Sequence, residues 1–376
     1  MITRIARLNC HEFTAATPDI WMLQIKSSIK DSVKLSIRPR MRVVLLFVMI
    51  AFIGQSRCHA VSRWQINLWR EEIRHTLFIP DQLPALDVKT YGSFSPIPGV
   101  TVERVTYRTQ YNMRVAAILY RPASKNAQLP GIIIVPGHGG DKSSWDVYYG
   151  AILFAKAGAA VLTYDPIGEG ESNDDHKSRT SEHDKLIDVP GVAERLSGFM
   201  ITDVMQGVSY LQRRKDVDPH RIGVIGDSLG SFVAVLTGAI DFRIRAIVLT
   251  GGGDLDGPGG YWDSSNDVMC QARPYKALRF LGDRGAVLYT LNARRGTTYV
   301  INGLEDTAVD IPHHGADFFQ NLQSRVAAMN GARRNIFTTY FVPQSAHRSN
   351  WLMKMSIIWL DRNLDFTQWS TLQIAA

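Results

Sequence analysis

From residue 100 to 363 the chain alternates short, continuous apolar runs with longer amphipathic segments, and no other feature limits its fold so tightly. The apolar runs read as strands at Gly131–Val135, Ala160–Tyr164, Arg221–Ile225, Ala246–Thr250, Thr297–Ile301 and Ile336–Val342. Helical patterns stand between or after them at Tyr148–Ala157, Gly198–Arg213, Ser228–Gly238 and Trp351–Asn363. In the second helix Ile201, Val204, Met205, Val208 and Leu211 recur with the 3.6-residue period of a face packed on a core. A strand that is apolar at every position is covered on both faces, and strands separated by helices run parallel. The pattern therefore predicts an α/β fold with a mostly parallel central sheet and helices on both faces. Two earlier β-rich runs, Val100–Tyr107 and Met113–Tyr120, flank the turn-like Gln110-Tyr111-Asn112 and predict an antiparallel pair at the sheet edge.

Upstream of the strands, Ser62 and Gln65 form a capping box, and Ile66, Trp69, Ile73 and Leu77 share one helical face. Pro80, Pro84, Pro96 and Pro98 then predict extended loop, so residues 61–98 read as an appended helix-and-loop flap and 99–376 as one catalytic domain. Still earlier, Val43 to Gly54 is a 12-residue apolar run preceded by Arg42, with small residues Cys58 and Ala60 before a cut after Ala60. A membrane span needs about 20 apolar residues. The run is read as a secretory signal peptide, with no permanent membrane span and a secreted or periplasmic location. Met41 directly precedes it, so translation is expected to begin there, with residues 1–40 an upstream extension.

The formal charge of +7 resides almost wholly in that leader: residues 1–60 hold nine Lys/Arg against Glu12, Asp19 and Asp31. Little is left downstream to displace the counterions of a nucleic acid, so no nucleic-acid partner is expected. Of Cys10, Cys58 and Cys270 only the last lies beyond the cut, which excludes an internal disulfide and a thiol cluster for zinc. Cys270 is read as an inert, partly buried thiol.

Gly226-Asp227-Ser228-Leu229-Gly230 lies between a predicted strand and a predicted helix, the context in which a serine is lifted above the strand ends on a sharp turn. The glycines keep that turn free of colliding side chains, and the Leu229 N–H is aimed at the oxygen of a bound acyl group. Serine is a weak nucleophile until a base takes its proton, so a histidine and an orienting carboxylate must follow. His347 follows the strand ending at Val342, and Asp306 follows Thr297–Ile301, with Glu305 and Asp310 as substitutes for it. Ser228, Asp306 and His347 then all fall at carboxyl ends of parallel strands. The second oxyanion donor is sought in Pro136-Gly137-His138-Gly139-Gly140-Asp141, at Gly140 first and Gly139 second. His138 is read there as a packing and hydrogen-bonding residue.

Elsewhere, His313-His314 lacks partners at metal-ligand spacing, and Gly251-Gly252-Gly253 lacks a phosphate-loop pattern and is read as a flexible rim. Asp165–Ser172 reads as a loop-shaping glycine turn, and the stretches Asn173–Val189 and Asp254–Val268 read as cap insertions setting substrate choice. No cofactor or metal is expected.

Residues 100–365 resemble the α/β-hydrolase superfamily, in its dienelactone-hydrolase-like and acetyl-xylan-esterase-like branch. The phrases that carry the likeness are Pro130–Gly140, Asp165–Ser172, Val217–Gly230, Asn302–Asp306 and Ala346-His347. The resemblance implies an α/β-hydrolase fold with cap insertions and places the triad on Ser228, Asp306 and His347 and the oxyanion hole on Leu229 and Gly140. Two departures withhold a narrower substrate. Dienelactone hydrolases carry a cysteine where this chain has Ser228, and the multi-specific acetyl esterases carry an Arg-Gly-Gln loop and a Glu after the histidine, where Arg348 stands here. The expected activity is that of an exported serine hydrolase cleaving short-acyl carboxylic esters of a small molecule or carbohydrate. The alternatives are a peptidase or amidase with the same triad and a non-catalytic binding module of the same fold.

Overall fold

The computed structural model describes residues 60–375, apart from 125–127, 188, 190, 258–269, 294–295, 332 and 334–335. The signal-peptide and start-site readings, and most of the expected cap at 254–268, lie outside the described residues. Among the described residues no helix is long and apolar enough to cross a membrane.

The strands are β1 (Lys89–Phe94), β2 (Val100–Arg108), β3 (Arg114–Pro122), β4 (Leu129–Val135), β5 (Ala160–Tyr164), β6 (Val217–Asp227), β7 (Ile244–Thr250), β8 (Thr297–Gly303) and β9 (Phe337–Val342). They form one sheet in the order β1-β2-β3-β5-β4-β6-β7-β8-β9. The first three strands pair antiparallel, β3 meets β5 antiparallel, and from β5 across to β9 every pairing is parallel. Successive side chains of β4 take opposite faces, as a period of two requires. Ile132 and Ile134 join a core with Phe154 and Leu360, from helices α2 (Trp145–Ala157) and α7 (Lys354–Leu364), while Ile133 and Val135 join the other core. That second core is closed by α1 (Arg63–Thr76), α3 (Val192–Arg213), α4 (Leu229–Ile240), α5 (Arg284–Asn292) and α6 (Ile311–Met329). β4 and β5 are buried at every residue, which explains why their sequences are apolar on both faces.

One expectation changes. The β2–β3 pair is not the sheet edge, because β1 hydrogen-bonds outside β2. Every residue of β1 is exposed, so an apolar alternation that would have marked Lys-Thr-Tyr-Gly-Ser-Phe as a strand was never required. The helix of the flap packs away from the cleft. Ser62 Oγ accepts from Gln65 N–H at 3.2 Å as the capping box predicts, and Ile66 and Ile73 are buried. Arg70 Nε donates to Ala239 O (2.9 Å), at the far end of α4 and roughly 16 Å along that helix from Ser228. Helix α1 thus seals a core face away from the edge where the strands end.

Going along the chain, β4 is followed by β5 on one side and then by β6 on the other, so the winding direction reverses between β4 and β6. The loops leaving the carboxyl ends of these two strands diverge at such a point and open a crevice. Residues 136–141 follow β4, and Ser228 follows β6.

Candidate active site

Ser228 holds φ 52° and ψ −118°, a conformation that costs a non-glycine residue on the order of 1–3 kcal/mol. The turn is over-determined by its neighbours. The Ser228 N–H donates to Thr250 O at 2.8 Å. The buried Ser231 hydroxyl lies 2.9 Å from Gly226 O and 2.7 Å from Thr250 O, and accepts from Thr250 N–H at 3.1 Å. Sequence reasoning missed Ser231, because a serine in the first turn of a helix carries no signal of what its hydroxyl meets. The flanking glycines are required by contact: a Cβ on Gly226 would stand 2.3 Å from Gly230 O, and one on Gly230 would stand 2.1 Å from Val135 O. Gly230→Ala is therefore expected to cost about 3 kcal/mol by forcing the helix off β4, read as an earlier urea midpoint for unfolding.

His347 Nδ1 lies 2.9 and 3.0 Å from the two carboxylate oxygens of Asp306. Asp306 is fully buried, and its Oδ1 also accepts from Ala308 N–H at 3.1 Å, which fixes the carboxylate before the imidazole arrives. Of the acidic residues considered in the sequence, Glu305 is exposed and Asp310 begins α6, with its carboxylate 3.3 Å from His313 Nδ1. Asp306 is thus the one among the three that holds the imidazole. The hydrogen bond that His347 donates to Asp306 raises the His347 pKa above its ordinary value, with burial opposing it. Asp227, in the middle of the turn, is pushed up to about 7 by burial, with Asp146 and Asp306 adding to the effect and His347 opposing it.

The end of β7 touches both halves of this arrangement. Thr250 accepts the Ser228 N–H, and a Cβ on Gly251 would stand 2.6 Å from His347 Cε1. Gly251-Gly252-Gly253 is not a flexible rim. Asn302 clamps Gly252 from both sides, accepting from its N–H (3.2 Å) and donating to its carbonyl (2.8 Å), and Tyr289 OH donates to Gly253 O at 2.7 Å. Gly251 is there because the His347 imidazole lies against its backbone, and Gly253 because its φ of 84° sets it against Tyr289 and Val300.

The loop after β4 corrects the oxyanion reading. The Gly140 N–H donates to Gly137 O at 2.9 Å, closing a turn, so it is not free to meet a developing charge. Among the described residues the N–H groups of His138 and Gly139 donate no hydrogen bond. Gly137 runs against the nucleophile turn, where a Cβ on it would be 3.2 Å from Ser228 Cβ. His138 N–H is thus the unpaired donor next in chain to that contact. The Leu229 N–H, at the start of α4, has no acceptor within its own helix.

A cleft of about 630 Å³ opens beside this loop, walled by Gly137–Asp141, Asp227, Asp146, Ser178, Arg179 and Trp145, the last 71% exposed. The 173–187 connection lies over the glycine loop through Ser178 Oγ, which donates to the Asp141 carboxylate. The Asp165–Ser172 turn is held by charge. Asp165 is buried and accepts from Lys142 N–H (3.0 Å), from the Lys142 ammonium and from Glu171 N–H (2.8 Å). Glu169 accepts from Thr180 N–H (3.1 Å) and Ser181 N–H (2.9 Å).

Residues 80–250 match the acetyl xylan esterase family. A putative hydrolase of Bacillus subtilis, YtaP, is 27% identical over 195 residues, 48% of this chain and 63% of that protein. The thiohydrolase apmlB of Arthrinium phaeospermum is 26% identical over 152 residues, 39% of this chain and 41% of its own. The chain spans less than two thirds of the length of these curated relatives. Among solved structures, a methylesterase superposes with a TM-score of 0.59 at 21% identity, covering 87% of this chain and 72% of that one. A putative acetyl xylan esterase from Bacteroides fragilis gives 0.58 at 17% identity, covering 74% and 75%. With the crossover between β4 and β6, the serine turn and these likenesses together, the chain has the α/β-hydrolase fold and resembles its acetyl xylan esterase branch.

Proposed function

We propose that the chain is an exported serine esterase that cleaves short-acyl esters of a small molecule or carbohydrate. The observation that carries this reading is the strained backbone of Ser228, held at a strand-to-helix turn on the sheet edge that also bears the His347–Asp306 pair. In the reaction, Ser228 Oγ attacks the ester carbonyl carbon while His347 Nε2 takes the hydroxyl proton. Asp306 holds the imidazole with Nε2 free for that proton and stabilises the imidazolium that forms. The oxygen of the tetrahedral intermediate accepts from the N–H groups of Leu229 and His138. His347 then gives its proton to the departing alcohol, and water, activated by the same histidine, releases the acid from the acyl-enzyme.

The pocket beside Ser228 supports a short acyl group. Its walls include Phe232, Val235, Leu255 and Val309 beside the polar Ser231, Asp254 and Gln271, and it has room for about one water-sized group such as an acetyl methyl. The larger cleft beside the glycine loop, lined by Asp141, Asp146, Ser178 and Arg179 together with Trp145, suits a hydroxylated alcohol. The match to the acetyl xylan esterase family points the same way. Export rests on the Val43–Gly54 run alone and is tested by amino-terminal sequencing of the secreted protein.

Incubation of the full chain with a fluorophosphonate is expected to label Ser228 stoichiometrically, identified by peptide mass. The same protein should hydrolyse p-nitrophenyl acetate with kcat/KM at least about tenfold above the octanoate, since each added methylene must displace packed side chains. A folded protein that takes no label and cleaves neither ester is not a serine esterase. Faster cleavage of a matched anilide than of the ester would make it an amidase instead.

A further inference from the structure

His138, His183, Asp184 and Cys270 bring two imidazoles, a carboxylate and a thiol together beside the loop after β4, with one donor atom of each inside a span of 4.8 Å. The Asp184 carboxylate lies between the rings, with Oδ2 2.9 Å from His138 Nε2 and Oδ1 3.4 Å from His183 Nε2. The two rings meet edge to face, their centroids 5.2 Å apart. His183 is only 3% exposed, and beyond a loose contact with the Ile167 backbone its ring nitrogens have no aligned hydrogen-bond partner among the described residues. Proteins rarely leave a buried imidazole unsatisfied without a function or a ligand that satisfies it. Nothing in the esterase reaction uses His183, Asp184 or Cys270.

We propose that these four side chains bind one zinc-class divalent ion through His138 Nε2, His183 Nε2, an Asp184 carboxylate oxygen and Cys270 Sγ. Two nitrogens, one oxygen and one sulfur form a borderline-soft set that suits zinc, whereas magnesium and calcium take oxygen donors. Zinc bond lengths place tetrahedral ligands roughly 3.3–3.8 Å apart, so the observed cluster closes on an ion with side-chain shifts of under about 1 Å. Four protein donors leave no position open for water, which makes the site structural: the ion takes no part in the ester chemistry and bears on it only by holding the loop whose His138 N–H meets the oxyanion. On binding, the Cys270 thiol loses its proton to solvent and the thiolate takes the metal, with no change of oxidation state. The His138–Asp184 hydrogen bond is exchanged for two bonds to the ion. His138 and Asp184 are about 40% exposed and give the ion a way in. Once bound, it ties the loop after β4 and the 173–187 connection to the chain at Cys270.

The test uses the full chain with Cys10→Ser and Cys58→Ser, so that a thiolate signal can come only from Cys270. After treatment with a chelator, titration with Co²⁺ should reach one equivalent per chain. It should produce a near-ultraviolet thiolate-to-cobalt charge-transfer band together with the intense visible bands of a tetrahedral site, and added Zn²⁺ should bleach both. Cys270→Ser should remove the charge-transfer band. His183→Gln should weaken Zn²⁺ binding by more than about 100-fold, beyond the loss expected from an outer-shell partner. Cobalt uptake without the thiolate band, no uptake at one equivalent, or a His183→Gln protein that binds zinc as tightly as its parent would overturn the proposal. The parent spectrum decides the matter even if a variant fails to fold, and none of these readouts depends on esterase activity.

Discussion

Ser228→Ala is expected to lower kcat for p-nitrophenyl acetate by on the order of a million-fold, to the level left by binding and the oxyanion donors alone. The size follows from what is lost. Without the hydroxyl no acyl-enzyme forms, and His347 has no bound nucleophile to deprotonate. The fold should survive, because the Ser228 side chain is only half-buried and the turn is held by Ser231 and by the backbone bond to Thr250. Alanine shares serine's reluctance to adopt φ 52°, so the strain is unchanged and the circular dichroism spectrum should match the parent's. KM should change little, since the acyl pocket and the cleft keep their walls. Loss of less than about tenfold in kcat would place the nucleophile elsewhere and remove the basis of the esterase reading.

Asp306→Asn should cost about 10,000-fold in kcat near neutral pH, because the amide steers the imidazole to the wrong tautomer while leaving the geometry in place. It also has a signature in pH. His347 works as a base only when neutral, so the parent's kcat/KM rises with pH through the pKa of His347, which the Asp306 bond holds above its ordinary 6.5. Removing the largest raising influence leaves burial, which lowers the pKa, and the acid limb should move to lower pH in the variant. The same linkage acts on stability. A raised histidine pKa contributes stability that is fully present below the unfolded value of 6.5 and is lost as pH rises through the folded value. A variant whose residual activity keeps the parent's acid limb would show that Asp306 does not govern the imidazole. Comparison with Glu305→Gln supplies the control, since that exposed carboxylate does not meet His347 and its loss should leave the profile unaltered.

Much of the scaffold was legible because its signals are local. Each strand from β4 to β9 contains a short, mainly apolar run, and the bounds of β8 and β9 read from the sequence fall within two residues of those observed, whereas β6 begins four residues earlier than its apolar run. β1 was not legible, since a strand exposed on both faces needs no apolar pattern. Helix α5 was also missed: residues 284–292 are buried along their whole length, so no polar face produces a period to read. The glycine run after β7 was misjudged for a related reason. A bare Gly-Gly-Gly is locally a flexible sequence, and its rigidity comes from Asn302 and Tyr289, which are remote in the chain.

By itself the sequence determined the parallel α/β architecture, the serine turn and the order in which serine, acid and histidine candidates follow one another. These depend on the period of apolar residues and on the steric freedom of glycine, both set within a few neighbouring positions. Only the tertiary structure decided that Asp306 and not Glu305 or Asp310 meets His347, that the Gly140 N–H is spent on Gly137, and that His183 and Asp184 come to lie beside His138 and Cys270. Each of those outcomes turns on where a loop goes after leaving the sheet and on which donor it leaves unpaired. The path is settled by packing between segments far apart in the chain, and no local pattern of residues records it.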